Sequence, residues 1–242
     1  MKLYLDLNEY QSRKLFADVY NRSSFCRVKL YVLEYLLTYW HYEEIKNRRP
    51  FLCVDVDDTK RVYIINESGD KIISFVFDYN VRVKQEVGQN GNTLSFLSIK
   101  AKNYNCEITP KLVADAQSII QTHSDREDNL MTYTMLDFEE EAYDDRTLRF
   151  VENLLYCEPG YIRYDNSTKG AKPYYHPQYH FDINYTNDAT FKFGLPNIID
   201  VNKFIDLVNS QEKRPTLICE WQREQPPLKS KRVKKKIMKK KK

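Results

Sequence analysis

At Pro50 the hydrophobic period of the chain changes from 3.6 residues to 2, and this switch limits the folds open to it. Before it, residues 27–46 place Val28, Tyr31, Val32, Tyr35, Leu36, Tyr39 and Trp40 at i, i+3, i+4, i+7 spacing, the pattern of an amphipathic helix. A shorter helix is expected over 8–21, with Leu15, Phe16, Val19 and Tyr20 on one side. After Pro50 the segments FLCVDV, RVYIIN, KIISFVFDYNVRVK and TLSFLSIKAK alternate or run apolar, with turn signals at Glu67-Ser68-Gly69-Asp70 and Gln89-Asn90-Gly91-Asn92. They predict a meander of about four antiparallel strands over 51–102.

Beyond the meander the elements come singly. Thr109 and Pro110 start a helix over 110–122 with Leu112, Val113, Ala116, Ile119 and Ile120 on one face. A strand is expected from Met131 to Phe138. Asp144 and Asp145 then suit the positive end of a helix over 145–157 that turns Leu148, Val151, Leu154 and Leu155 inward. A last helix over 201–210 is capped by Asp200, and TLICEW at 216–221 reads as a closing strand. Helices and strands fall in blocks without sustained βαβ alternation. The expectation is therefore α+β, a mainly antiparallel sheet flanked by about five helices. It places one domain over 1–225 (helical 1–49, meander 50–103, mixed 104–225), with a disordered basic tail over 226–242.

That tail distorts the charge balance. Ten of the chain's 38 Lys and Arg residues lie among its last fourteen, leaving 28 against 34 acidic residues, or −6, for the remainder. The body as a whole is thus not expected to hold nucleic acid electrostatically. The tail is first of all expected to be a solubilising terminus; the alternative is a nucleic-acid contact through Lys229, Lys231, Arg232, Lys234, Lys235 and Lys236. The apolar runs are too short to cross a bilayer, and no secretory segment opens the sequence. The five cysteines are scattered, never in a Cys-x-x-Cys pair, and mostly beside apolar neighbours, which fits a reduced, cytoplasmic setting better than thiolate zinc.

The most informative stretch is 158–195. From Tyr179 to Tyr185 one face carries His180, Asp182 and Asn184 and the other Phe181, Ile183 and Tyr185. From Thr190 to Leu195, Thr190, Lys192 and Gly194 oppose Phe191, Phe193 and Leu195. Antiparallel partners have a constant sum of residue numbers, and only an even sum sets polar against polar. A sum of 374 pairs Asp182 with Lys192 and His180 with Gly194, and leaves Thr186-Asn187-Asp188 as the loop. The expected result is a core of Phe181, Ile183, Phe191 and Phe193 below a polar face, with open space at Gly194 beside His180.

On that face His180 is a candidate acid or base oriented by Asp182, with Lys192 or Arg163 placed to meet phosphate and His176 near by. His176 and His180 lie roughly 13 Å apart in an extended chain, too far to share an ion. A turn at His176-Pro177 would create a divalent-metal site of His176, His180 and Asp182. Tyr161, Arg163 and Asp165 share one face of the preceding strand, and the polar loop 166–175 is expected to act as a mobile flap.

The order Glu158-Pro159-Gly160-Tyr161-Ile162-Arg163-Tyr164-Asp165, His176-Pro177, His180, Asp182, Asn184-Tyr185 and Phe191-Lys192-x-Gly194-Leu195 resembles a family of bacterial proteins of unknown function loosely associated with mobile-element and defence loci. The resemblance covers about 155–210 and implies a bacterial cytoplasmic protein. A second segment, Phe51 to Thr59, with Asp55-x-Asp57-x-Thr59, resembles the first motif of haloacid-dehalogenase-type phosphatases. That resemblance implies Asp55 as nucleophile, Asp57 as general acid and magnesium as cofactor. Asp58 stands where that family has glycine, and no parallel βα units follow. Gly-rich phosphate loops, a Gly-x-Ser-x-Gly elbow and Cys-His pairs at family spacing are missing. The functional expectation is an accessory or effector protein acting on or beside nucleic acid, with phosphodiester chemistry on the His/Asp/Lys face. The alternatives are a non-catalytic protein-interaction module and the magnesium phosphatase.

Overall fold

The computed structural model describes residues 1–17, 19–40, 49–87, 90–102, 106–122, 143–157, 159–172, 175–185 and 191–209. The expected strands at 131–138 and 216–221, the 186–188 loop and the basic tail lie outside these residues. The architecture is α+β. A seven-stranded antiparallel sheet runs in the order β1 (Lys2–Asp6), β2 (Phe51–Asp55), β3 (Arg61–Ile65), β4 (Lys71–Val76), β8 (Ile162–Asn166), β9 (Tyr179–Ile183) and β10 (Phe191–Gly194). A smaller antiparallel sheet holds β5 (Tyr79–Val87), β6 (Thr93–Ala101) and β7 (Glu107–Ile108). Five helices complete the described body: α1 (Glu9–Leu15), α2 (Arg22–Tyr39), α3 (Pro110–Thr122), α4 (Asp145–Tyr156) and α5 (Val201–Val208). Among the described residues no helix is long and apolar enough to cross a membrane.

Local chemistry accounts for where the helices begin. Asn8 and Asn21 form reciprocal capping boxes at α1 and α2, while Asp144 and Asp200 accept from Thr147 N and Lys203 N at the starts of α4 and α5. Leu112 N reaches Thr109 Oγ1 at 3.2 Å, as the Thr109-Pro110 pair predicts.

The large sheet is buried on both sides by strands whose successive residues face opposite ways. One face contributes Leu52, Val54, Val62, Ile64, Ile73 and Phe75 to the main core under α2, α3 and α4, which the small sheet joins through Leu97, Ile99 and Ile108. The other face gives Cys53, Tyr63, Ile65, Ile72, Tyr164 and Phe181 to a second core closed by Phe204 of α5.

The expected four-strand meander is five strands divided between two sheets. The run KIISFVFDYNVRVK breaks at Phe77-Asp78, where Phe77 N bonds the Lys60 carbonyl at 2.8 Å and the chain leaves one sheet for the other. Strand β8, which follows far later in the chain, then pairs with the edge that β4 leaves free. The entry to β8 turns at Gly160, φ +47°, where a Cβ would stand 2.9 Å from Val76 Cγ2.

Candidate functional site

The β9–β10 register follows the sum of 374: Ile183 faces Phe191, Asp182 faces Lys192, Phe181 faces Phe193 and His180 faces Gly194. On the other side of β9, β8 sets Arg163 opposite Asp182 and Asp165 opposite His180. Three adjacent strands therefore place Arg163, Asp165, His180, Asp182 and Lys192 on one patch of the sheet, on the same face as the α2 core and toward the β10 edge.

The polar face is the more protected one. His180 is 1% exposed and Asp182 3%, whereas Phe191 and Phe193, expected in the core, are 58% and 48% exposed. The reason is lateral: the second core is centred on β2, β3, β4 and β8, and among the described residues Phe181 is the last aromatic of the hairpin to reach it. Tyr185 also departs from simple alternation. Asn184 takes a left-handed φ of +69°, which turns the chain over and stacks Tyr185 on Phe25 of the main core at 4.7 Å. Gly194 does not leave open space, because the Pro177 ring fills it, and a Cβ there would lie 2.9 Å from Pro177 Cγ.

Each charge in the patch is matched. Arg163 donates through Nε to Asp165 Oδ2 at 2.6 Å and through Nη2 to Asp182 Oδ2. Lys192 Nζ lies 2.5 Å from Asp182 Oδ1 and 3.2 Å from His180 Nε2. Burial works against the Arg163 charge, but the two carboxylates outweigh it and raise its pKa. His180 is pushed the other way: burial first, and the Lys192 ammonium second, hold its pKa below the ordinary histidine value. The imidazole is therefore neutral at pH 7. Its Nδ1 donates to the Pro177 carbonyl at 2.8 Å, which leaves the Nε2 lone pair to accept from the Lys192 ammonium at 3.2 Å.

Nε2 lies 3.6 Å from Asp182 Oδ1 and 3.8 Å from Asp165 Oδ2, and the three ligand atoms all fall within 4.8 Å of one another. Tetrahedral metal–ligand bonds of about 2.0–2.2 Å set ligand atoms roughly 3.3–3.6 Å apart, so the spacing approaches that of a metal site, with Lys192 and Arg163 now holding the carboxylate oxygens. His176 is not part of this convergence. A turn does bring its ring within 4.8 Å of the His180 ring, but edge-on, with Nδ1 3.4 Å from the Gly170 carbonyl. Asp165 takes the place that the sequence reading gave to His176. Its signal was visible as alternation with Arg163, but that its strand lies beside β9 was not. The described part of the 166–175 loop is closed by backbone bonds from Ser167 N to the Gln178 carbonyl and between Lys172 and His176.

The Asp55 segment is built differently. Asp55 is buried at the end of β2, which pairs antiparallel on both sides, and its carboxylate accepts from Asp58 N at 3.1 Å and Thr59 N at 3.4 Å. Asp57 is engaged by the Met1 amino group. Asp55 thus caps a hairpin turn between antiparallel strands. Comparison with protein-family models, curated proteins and solved structures finds no match to this chain.

Proposed function

We propose that this protein is a divalent-cation-dependent hydrolase of phosphodiester bonds in nucleic acid, centred on Asp165, His180 and Asp182. One observation carries the reading: a neutral imidazole, its tautomer fixed by the Pro177 carbonyl, converges with two carboxylates at near-ligand spacing. One histidine and two carboxylates suit zinc or manganese. Such an ion acidifies bound water and polarises a phosphoryl oxygen. The Lys192 ammonium now stands where that cation would sit. Its side chain is 32% exposed and has room to swing outward. There it would join Arg163 in meeting phosphate, leaving the cluster with a net positive charge suited to an anionic substrate.

Lys192→Met tests this, because ammonium and metal compete for one place. In the full chain the variant is expected to bind Mn²⁺ or Zn²⁺ about tenfold more tightly by titration calorimetry, the equivalent of ~1.4 kcal/mol. It should also cleave DNA or RNA more slowly than wild type. Absence of saturable metal binding in both proteins would overturn the proposal. Tight binding without turnover on single- or double-stranded DNA or RNA would favour a non-catalytic interaction module.

A further inference from the structure

Among the described residues the small sheet has one polar face that is largely open on β5, with Ser98 of β6 buried within it. Alternation sends Tyr79, Val81, Leu97 and Ile99 toward the core and leaves Arg82, Lys84, Phe96, Ser98 and Lys100 on the opposite face. Beside it runs a groove of about 730 Å³ to which Lys60 and Lys102 also contribute; its five cations face the carboxylate of Asp57 in the lining and those of Glu107 and Asp78 beside it, which leaves a local positive surplus. Asp57 is already engaged by the Met1 amino group. Lys84 and Lys102 have half-buried partners in Glu107 and Asp78 at 3.2 and 3.1 Å, surface pairs of the kind that contribute little and can exchange for a stronger anion. Among the described residues no ion pair engages Lys60, Arg82 or Lys100. Lys100 also borders a second groove, of about 720 Å³, lined by Arg146 and Arg149 together with Glu107 and Asp145. The chain's negative balance outside the tail therefore conceals a local strip of positive charge.

We propose that this face binds single-stranded nucleic acid. Arg82 and Lys84, two residues apart on one strand, stand about 7 Å from each other, and Lys100 is a diagonal neighbour of Arg82 at similar range. That spacing suits successive phosphates of an extended strand. Phe96, directly across from Lys84 and half-buried, has the Lys84 ammonium 5.9 Å from its ring centroid, so it offers a base a stacking surface bordered by cations. A phosphate-only surface would have no use for that ring. The face lies apart from the His180 cluster and is independent of the chemistry assigned there.

The test is fluorescence anisotropy of the full chain with labelled dT20 and U20, in EDTA so that metal chemistry is silent. Arg82→Glu with Lys100→Glu is expected to weaken binding at least about tenfold and to flatten its salt dependence by roughly 0.7 per lost phosphate contact. Phe96→Leu, which keeps the apolar volume, should weaken it about five- to tenfold, and Phe96→Trp should restore it. Circular dichroism and melting confirm that the variants are folded. Unchanged affinity in the charge-reversed protein would overturn the proposal and assign binding to the basic tail. A preference for duplex of equal length, together with indifference to Phe96→Leu, would also overturn it.

Discussion

His180 shows how a residue legible in the sequence gains its chemistry only from packing. Alternation placed it on a face with Asp182 and Lys192, and it is there. What alternation could not supply is the Pro177 carbonyl that fixes its tautomer, or the burial that keeps it neutral. Because its folded pKa lies below the value of 6.5 it would have in the unfolded chain, the unfolded state binds the proton first on acidification. The contribution of His180 is therefore present above about pH 6.5 and is lost as the pH falls below it. Lys192, Asp182 and Asp165 surround the ring, the ammonium adding to the downward shift and the two carboxylates opposing it. In the presence of a chelator, the melting temperature of wild type should fall between pH 7 and 5 by more than that of His180→Gln. Equal slopes would mean that another group governs acid sensitivity.

At the scale of elements, the hairpin register was readable because a parity argument needs only the order of polar and apolar residues. The break at Phe77-Asp78 was not, because no Gly, Pro or Asn-Gly signal marks it. The corner exists only because β3 and β8 compete with β6 for the two halves of one apolar run. The exposure of Phe191 and Phe193 was unreadable for a related reason: period 2 tells which residues share a face but not how far the covering helix extends. Gly194 joins register to site, because Pro177 packs on its bare Cα while holding His180 with its own carbonyl. Gly194→Ala should displace Pro177, destabilise the fold by about 1–3 kcal/mol as overpacking does, and weaken Mn²⁺ or Zn²⁺ binding at the same time. Denaturant unfolding together with metal titration checks this. Lost stability with unchanged metal affinity would separate Pro177 from the orientation of His180.

At the scale of the molecule, strands β2, β3 and β4 link two cores. Leu52, Val54, Val62, Ile64 and Ile73 face the α2 side while Cys53, Tyr63, Ile65 and Ile72 face α5, so neighbouring residues on one backbone serve opposite layers. Blocks of helix and strand were enough to reveal an α+β chain, but not a central sheet buried twice. The short 201–210 pattern gave no hint that α5 alone closes the second described layer. Phe204 is fully buried there, 5.8 Å from the Phe181 ring and 6.4 Å from the Tyr63 ring. Phe204→Ala should cost about 3–5 kcal/mol through the cavity it leaves. Since the strands beneath it also carry the main core, that loss should lower a single cooperative transition rather than release α5 alone. Tyrosine fluorescence and far-ultraviolet circular dichroism should then report coincident melting curves. Two separated transitions would show that the α5 layer unfolds as an independent unit, and that the sheet does not couple its two faces.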